Sequence, residues 1–463
     1  MAESGSTHET DLLIIGGGPG GYHAAFRAAS NGIQTTVVES MPSLGGVCLH
    51  RGCIPSKTYL SLVETIHAAK RSKAMGIEFA PPKLDIEAIR GWKQEVISKL
   101  AGGLDSLAKK HRVTRITGTA KFANATSVAV EGGDASRIEF KRAVIATGSK
   151  SIVLRGIQIE SPRVLTSRTA LDLADIPGTL LVIGGGYIGL ELGQVYAGLG
   201  SKVTVVEMLP GILPGADRDL VRPLARRLEE DFEEICLETQ VTGMKEVDGG
   251  IELTFEGKKP PQSSTFDKVL VSVGRVPNSR ELDLDKAGIE ADERGFIKVD
   301  SQFRTAAPNI YAIGDVIGNP MLAHKALHEG NVIADSLAGK DAAFEPRAIP
   351  AVVFTDPEIA WAGLTQIEAK EQGLDFVVKK MPLGASGRAV ALGRTDGVMK
   401  MIFDKSTQRL IGMGLTGPHV GEMIAEGALA MEMGAVAHDI ASTVHPHPTL
   451  SEMIGEVAAM MDE

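Results

Sequence analysis

The pattern of apolar and polar positions predicts two βαβ units of the same design. The first runs from the strand-like DLLII through the turn GGGPGG and the helix-like AAFRAASNG to a second strand-like run, TTVVE. Residues 179–207, TLLVIGGGYIGLELGQVYAGLGSKVTVVE, repeat this order. Gly184 follows Gly16, and Glu207 follows Glu39, by the same 168 residues. The constant offset indicates an internally duplicated α/β protein.

Each unit carries the G-x-G-x-x-G pattern of a dinucleotide-binding turn. The first glycine permits a tight turn, the second lets the backbone approach a pyrophosphate, and the third packs the helix against the strand. The helix N-terminus offers N–H groups to phosphates, and a glutamate about 20 residues further on can accept from ribose hydroxyls. A role in packing alone is the alternative, but packing does not require both glutamates. The predicted binding residues are Gly16, Gly18, Gly21 and Glu39 in the first unit, and Gly184, Gly186, Gly189 and Glu207 in the second.

Glu207 also bears on the choice of nicotinamide cofactor. A carboxylate at this position repels a 2′-phosphate, and the segment VVEMLPG contains no arginine that would bind one. We therefore expect the second site to prefer NAD to NADP.

The composition limits the class of protein and the cellular compartment in which we expect it. The 463 residues carry a net charge of −10 and only 4% aromatic residues, which argues against nucleic-acid binding. Three cysteines are too few for a disulfide framework, and an odd count suits a reducing compartment. The start MAESGSTHET lacks the features of a secretory signal, and no long apolar run predicts a membrane span. We expect a cytoplasmic protein.

Two of the cysteines form a candidate redox pair. Cys48 and Cys53 lie five apart in LGGVCLHRGCIPSKTYL, which is not the C-x-x-C spacing of a zinc site. A disulfide between them requires a distorted helix, and distortion tends to make the bond reducible. The alternative is a pair of buried structural thiols. The flanking glycines and the dinucleotide turn just upstream favour redox chemistry.

The segment GGVCLHRGCIPSK resembles the redox-disulfide signature of the flavoprotein pyridine-nucleotide disulfide oxidoreductases. The resemblance covers essentially all 463 residues and includes ATG ending at Gly148, VGR around Gly274, and NIYAIGDV near Asp315. It implies an α/β fold with two Rossmann-like domains, binding FAD and NAD, and a C-terminal α+β dimerisation domain. The domains expected from it are 1–150 for FAD, 151–271 for NAD, 272–345 completing the FAD domain, and 346–463 for dimerisation.

The resemblance also implies roles for individual residues. Asp315 would bind the flavin ribityl chain, and Lys57 would lie near flavin N5 with Glu191 as its partner. The further FAD contacts expected are Ala120, Gly148 and Ala323, and the further NAD contacts are Tyr187, Ile188, Glu191, Val241 and Gly274.

A histidine in HPHPTLSEM is the candidate acid and base. Thiol exchange requires a thiolate, and an imidazole can take and return the proton near neutral pH while a glutamate orients it. The residues alone leave His445 and His447 equally plausible. The resemblance favours His447, paired with Glu452, and in this family the histidine enters the partner's active site.

The segments CLHRGCIPSK, PMLAHKA, TDPEIAWAGLT and HPHPTLSE resemble the branch of the family that oxidises dihydrolipoamide with NAD. This branch implies a homodimer that serves a 2-oxoacid dehydrogenase complex, with a lipoyl domain and the acyltransferase core as partners. The alternatives are an NAD(P)H-dependent reductase of another disulfide and a flavin-binding redox partner without turnover. No metal is expected, because His324 and His328 lack an obvious third ligand.

His50 and Arg51 depart from the family pattern, which commonly has asparagine and a small apolar residue between the cysteines. His50 is either a local base or a partly exposed polar residue, and we favour the second. Arg51 either lowers a thiolate pKa or points to solvent. The departure bears on redox potential and substrate preference rather than on the reaction class.

Overall fold

The computed structural model describes residues 7–133 and 135–462. Its contacts divide the chain into two compact units. The first consists of the described residues of Met1–Thr58, Asp85–Ile152 and Gly274–Glu345, and the second of those of Tyr59–Leu84, Val153–Val273 and Pro346–Glu463.

The strands, in chain order, are β1 (Thr7–Ile15), β2 (Thr35–Glu39), β3 (Thr114–Thr117), β4 (Thr119–Asn124), β5 (Ser127–Glu131), β6 (Arg137–Ile145), β7 (Ser149–Ser151), β8 (Val164–Thr166), β9 (Thr179–Ile183), β10 (Lys202–Val206), β11 (Glu234–Cys236), β12 (Thr239–Val247), β13 (Gly250–Gly257), β14 (Thr265–Phe266), β15 (Lys268–Val271), β16 (Arg275–Pro277), β17 (Ile310–Ala312), β18 (Ala351–Val353), β19 (Glu358–Gly363), β20 (Phe376–Pro382), β21 (Val398–Asp404) and β22 (Leu410–Gly417). The α-helices are α1 (Pro19–Ser30), α2 (Gly46–Arg51), α3 (Cys53–Arg71), α4 (Ile86–Lys110), α5 (Ser167–Ala170), α6 (Tyr187–Leu199), α7 (Arg218–Asp231), α8 (Ala323–Leu337), α9 (Gln366–Glu371), α10 (Gly387–Ala391), α11 (Val420–Met433), α12 (Ala437–Ala441) and α13 (Glu452–Ala459). Short 3₁₀ helices cover Ser72–Met75, Leu284–Ala287, Gly314–Ile317 and Leu383–Ala385.

The first unit contains a seven-stranded mixed sheet and an antiparallel pair formed by β7 and β16. The strand order of the mixed sheet is β3-β2-β1-β6-β5-β4, and β17 also pairs with β6. β1 lies parallel to both β2 and β6, and its four residues from Leu12 to Ile15 are buried because both faces of the sheet are covered. Helices α1 and α8 pack together, and α1 also contacts β1.

The second unit contains a parallel sheet and two antiparallel ones. The parallel sheet has the order β11-β10-β9-β15-β8, and β12-β13-β14 form a small antiparallel sheet. The C-terminal antiparallel sheet has the order β18-β19-β22-β21-β20, and α11 and α13 pack against its strands. Lys400 of β21 is 1% exposed and binds Asp217 and Asp219 near the start of α7, at 2.6 and 2.7 Å.

Both predicted βαβ units are present, and they match residue for residue. Ile15 of β1 lies opposite Val38 of β2, and Ile183 of β9 lies opposite Val206 of β10. The 168-residue offset of the sequence is therefore also the offset of the strand register. Within the described residues, no helix is long and apolar enough to cross a membrane.

Candidate active site

The first glycine turn joins β1 to α1. Gly16 has a φ of +104°, and a Cβ there would lie 2.4 Å from the Ala146 carbonyl oxygen. A Cβ on Gly21 would lie 1.9 Å from the Gly16 carbonyl oxygen, so neither position admits a side chain. A Cβ on Gly18, by contrast, would meet only the Gly46 Cα, at 3.9 Å. The turn is tight on its inner side and clear at Gly18, as a pyrophosphate at the N-terminus of α1 requires.

The second turn, between β9 and α6, has the same construction. Gly184 has a φ of +107°, and a Cβ there would lie 2.6 Å from the Ser272 carbonyl oxygen. A Cβ on Gly189 would lie 2.4 Å from the Gly184 carbonyl oxygen, whereas one on Gly186 would meet no described atom within 4 Å. The residues of both turns therefore fit a dinucleotide.

The two glutamates make the same pair of hydrogen bonds. Glu39 accepts from the Gly17 N–H at 2.7 Å and from the Met41 N–H at 2.8 Å. Glu207 accepts from the Gly185 N–H at 2.6 Å and from the Leu209 N–H at 2.8 Å. Each of these donors lies 168 residues after its counterpart in the first unit. Both residues are 7% exposed. A carboxylate has about four acceptor sites, so each glutamate retains capacity for ribose hydroxyls.

The two cysteines lie on consecutive helices rather than on one. α2 ends at Arg51, Gly52 interrupts the helix, and α3 begins at Cys53. Cys48 is half-buried and Cys53 is exposed. The interruption allows the Cys48 and Cys53 side chains to form a hydrogen bond. The distortion that the five-residue spacing predicts is thus a helix break at a glycine.

The cysteine segment is attached to the first glycine turn. The Gly45 N–H donates to the Gly17 carbonyl oxygen at 2.8 Å. Gly46 has a φ of +57°, and a Cβ there would lie 2.6 Å from the Gly18 Cα. The backbone that carries Cys48 therefore lies directly against the turn that is shaped for a dinucleotide.

The groups around Cys48 shift its pKa in opposite directions. The hydrogen bond with Cys53, burial and the nearby Cys53 charge raise the pKa of Cys48, while Lys57, one turn into α3, lowers it. Cys48 therefore favours the thiol form, and Lys57 supplies the nearby positive charge that opposes this effect.

His50 contacts the loop that precedes the cysteines. Its Nε2 lies 2.9 Å from the Leu44 carbonyl oxygen and 3.2 Å from Ser43 Oγ. Since a carbonyl only accepts, Nε2 carries a proton and donates it. This contact supports the polar, structural interpretation of His50 over that of a local base.

Asp315 lies in the 3₁₀ helix Gly314–Ile317 of the first unit. Its carboxylate accepts from Ser149 Oγ, and Arg275 Nε lies 3.9 Å from it. Arg275 in turn donates to Ser149 Oγ at 2.7 Å. Gly148, with a φ of +69°, immediately precedes Ser149. The ATG, VGR and GDV segments of the sequence therefore meet at Asp315.

The structure adds a buried ion pair beside Asp315 that sequence reasoning missed. Lys325 and Glu329 are 8% and 1% exposed and lie 2.6 Å apart on α8. Glu329 also accepts from the Gly314 N–H at 2.7 Å. A Lys and a Glu four residues apart are ordinary on helix surfaces, so the sequence held no signal that this pair is buried.

The two candidate histidines have different surroundings. His447 Nδ1 lies 2.7 Å from Glu452 Oε1, and its side chain is 82% exposed. His445 is 9% exposed, and its ring nitrogens lie 2.7 Å from Glu426 Oε1 and 2.9 Å from the Thr443 carbonyl oxygen. Both nitrogens of His445 are thus occupied, while His447 has a carboxylate partner and an exposed ring.

Glu452 is held as a carboxylate. The Thr449 N–H donates to it at 2.7 Å, and this bond together with His447 lowers the pKa of Glu452. An ionised Glu452 can orient the imidazole and stabilise its protonated form.

The remaining predicted residues are divided between the units. Ala120 on β4, Ala323 at the start of α8 and Gly274 belong to the first unit, with Lys57 and the two cysteines. Tyr187 (42% exposed), Ile188, Glu191 and Val241 belong to the second, with His447 and Glu452. Glu191 is 3% exposed and accepts from the Phe354 N–H at 3.0 Å. Its partnership with Lys57 stays a prediction.

A cluster of charged side chains also lies in the second unit. Ligand atoms of Glu64, His67 and Asp356 lie within 4.8 Å of one another, an arrangement that can hold a metal ion. However, Arg394 binds Asp356 directly, and Arg71 binds Glu64 at 2.7 Å. The guanidinium groups already neutralise both carboxylates, which makes the cluster an ion-pair network.

Comparisons with known proteins agree with this geometry. Residues 10–330 match the family described as pyridine nucleotide-disulphide oxidoreductase, and residues 349–458 match its dimerisation domain. The chain is 47% identical over 456 residues to a dihydrolipoyl dehydrogenase of Vibrio parahaemolyticus, covering 98% of this chain and 96% of the relative. It is 46% identical over 452 residues to that of Bacillus subtilis, covering 97% and 96%.

Solved structures give the same fold. LpdA from Mycobacterium tuberculosis is similar with a TM-score of 0.90 and 27% identity, covering 98% of this chain and 99% of that one. The HOCl-induced flavoprotein disulfide reductase RclA from Escherichia coli is similar with a TM-score of 0.87 and 29% identity, covering 97% and 99%.

The chain belongs to the pyridine nucleotide-disulphide oxidoreductase family. It is a flavin-dependent disulfide oxidoreductase similar to dihydrolipoyl dehydrogenases, and its predicted fold class is confirmed. The family implies FAD and a nicotinamide dinucleotide as cofactors, and the dimerisation domain implies a homodimer.

Proposed function

We propose that the protein oxidises dihydrolipoamide to lipoamide through Cys48 and Cys53, with NAD as the final electron acceptor. The observation that carries the proposal is the attachment of the cysteine segment to the first glycine turn, at Gly45 and Gly46. The choice of substrate is supported by relatives named dihydrolipoyl dehydrogenase, which are 47% and 46% identical over nearly the full chain.

The cofactor sites follow from the two turns. FAD would occupy the first turn, with Glu39, Lys57 and Asp315 among its contacts, and NAD the second. When bound, the two cofactors supply the hydride chemistry. The preference for NAD over NADP is supported by the 7% exposed Glu207, whose carboxylate would repel a 2′-phosphate.

The cysteines and the histidine divide the thiol chemistry. His447 takes a proton from one substrate thiol, and the resulting thiolate attacks the Cys48 sulfur of the Cys48–Cys53 disulfide. The S–S bond breaks, a mixed disulfide forms between the substrate and Cys48, and Cys53 leaves as a thiolate. The positive charge of Lys57, which lowers the pKa of Cys48, favours a thiolate in this cysteine pair. The second substrate thiol then displaces Cys48, which takes up the proton of that thiol and leaves as a thiol. The substrate departs as a disulfide and leaves two electrons on the enzyme, as the Cys48 thiol and the Cys53 thiolate. The choice of Cys48 as the sulfur that the substrate attacks rests on the family resemblance. Exposure alone would favour Cys53, which is exposed, over Cys48, which is half-buried.

Glu452 would keep His447 ready for this transfer. It holds the imidazole at Nδ1 and stays ionised because its pKa is lowered, so Nε2 exchanges the proton. By the family resemblance, the histidine of one protomer serves the active site of its partner. The expected partners are the lipoyl domain and acyltransferase core of a 2-oxoacid dehydrogenase complex, and a cytoplasmic location stays a prediction.

A reductase of another substrate is the second candidate, because the fold is shared with the flavoprotein disulfide reductase RclA. A substrate panel separates the two. We expect rapid NAD-dependent oxidation of dihydrolipoamide, and little NADH- or NADPH-dependent reduction of glutathione disulfide or mercuric ion. If either of these is reduced more efficiently than dihydrolipoamide is oxidised, the substrate assignment is wrong. If NADPH reduces the enzyme as well as NADH does, the role of Glu207 is wrong.

A further inference from the structure

Helix α8 contacts the first glycine turn through its backbone. A Cβ on Gly20, at the start of α1, would lie 3.0 Å from the Ala326 carbonyl oxygen. A Cβ on Gly330 would lie 2.5 Å from the Gly20 carbonyl oxygen. The two glycines therefore let α8 lie directly against the helix whose N-terminus is shaped for the pyrophosphate.

The same helix also holds the segment that carries Asp315. Glu329 accepts from the Gly314 N–H with one oxygen and binds Lys325 with the other. Gly314 has a φ of +76° and immediately precedes Asp315. From the other side, Ser149 donates to the Asp315 carboxylate. Asp315 is thus fixed through its own carboxylate and through the N–H of the preceding residue.

Stability alone does not account for the Lys325–Glu329 pair. A buried ion pair is weak support for a fold because desolvation offsets its attraction. Lys325 also lies in the first turn of α8, where the helix dipole disfavours a positive charge. These costs are understandable if Glu329 must stay buried as the acceptor for Gly314 and Lys325 compensates its charge.

We propose that Glu329, with Lys325 as its counter-charge, is a positioning residue for FAD. It holds the Gly314–Asp315 backbone on α8, so that Asp315 and the first glycine turn are aligned before FAD binds. Such preorganisation lowers the cost of ordering the site on binding. The inference rests on the proposed assignment of Asp315 to FAD.

Two double variants isolate the Gly314 acceptor. K325M/E329Q and K325M/E329M have the same charge and similar side-chain volumes, but only the first retains an oxygen that can accept from the Gly314 N–H. FAD release from each holoenzyme is followed by the recovery of FAD fluorescence. We expect K325M/E329M to release FAD about tenfold faster or more than K325M/E329Q, because an unpaired buried N–H is costly.

If the two double variants release FAD at rates that agree within about threefold, the proposal is overturned, because loss of the Gly314 acceptor should cost more than that. If K325M/E329M does not fold, K325M/E329Q decides: release close to the parent rate supports the acceptor role, and release as fast as from D315N contradicts it. D335N is the matched control, since Asp335 lies on α8 and binds Arg27 of α1 at 2.7 Å, and it should leave FAD release unchanged.

D315N separates this inference from the proposed function. If D315N does not accelerate FAD release, the assignment of Asp315 to FAD fails. If D315N accelerates release while the two double variants behave alike, only the role of Glu329 fails.

Discussion

At the scale of single residues, the exposure of the imidazole ring separates His447 from His445. His445 and His447 flank the same proline, so the residues alone leave the choice between them open. The structure gives both a carboxylate 2.7 Å away but leaves only His447 exposed. Exposure depends on how α11 and α13 pack around the loop, which no local pattern encodes. Glu39 and Glu207 were predictable because their spacing from the glycines is fixed by the βαβ unit.

The paired variants H447Q and H445Q test this choice. We expect H447Q to slow dihydrolipoamide oxidation by about 10²- to 10⁴-fold, because a positioned acid or base contributes that much. H445Q should retain most of the activity, since both ring nitrogens of His445 are engaged within its own unit. Steady-state rates at equal FAD content decide the matter. A mild effect of H447Q with a large effect of H445Q would reverse the assignment.

At the scale of elements, the duplicated βαβ units were predictable and the cysteine segment was only partly so. Apolar strands and glycine turns are local signals, and both units appear with matching registers. The spacing of Cys48 and Cys53 predicted a distorted helix, but not its interruption at Gly52 or the hydrogen bond from Gly45 to Gly17. The hydrogen bond joins segments 28 residues apart, which no local pattern encodes.

The ion-pair network of the second unit predicts a pH dependence of stability. Burial raises the pKa of Asp356, but His67, Arg394 and Arg71 outweigh it and lower the pKa to about 2, from a usual value of 3.8. As the pH falls, Asp356 is therefore protonated in the unfolded chain at a higher pH than in the folded chain. The stability that the ionised carboxylate contributes is present above about pH 4 and is lost as the pH falls toward 2.

We expect D356N to be less stable than the parent at neutral pH, with a difference that shrinks as the pH falls below about 4. Urea midpoints measured across this range check it, with D341N as an exposed carboxylate control. A difference that is constant or grows on acidification would contradict the cause assigned to the lowered pKa.

At the scale of the whole molecule, the residues proposed for the reaction come from both compact units. Cys48, Cys53 and Asp315 belong to the first, and His447 and Glu452 to the second. The residue pattern predicted the cysteine pair and left two histidines open. The family resemblance added Asp315 and Glu452 and favoured His447, whereas hydrophobic periodicity alone predicts only the duplicated fold. The buried partners, Glu329 among them, were not predictable because their ordinary spacing does not reveal their surroundings.

In the proposed reaction, electrons from dihydrolipoamide reach the bound flavin through the cysteine pair. Stopped-flow absorbance of the parent and of C53S, mixed without oxygen with dihydrolipoamide or with NADH, tests it most directly. We expect dihydrolipoamide to reduce the flavin of the parent but not of C53S, and NADH to reduce both. Reduction of the C53S flavin by dihydrolipoamide at the parent rate would contradict it.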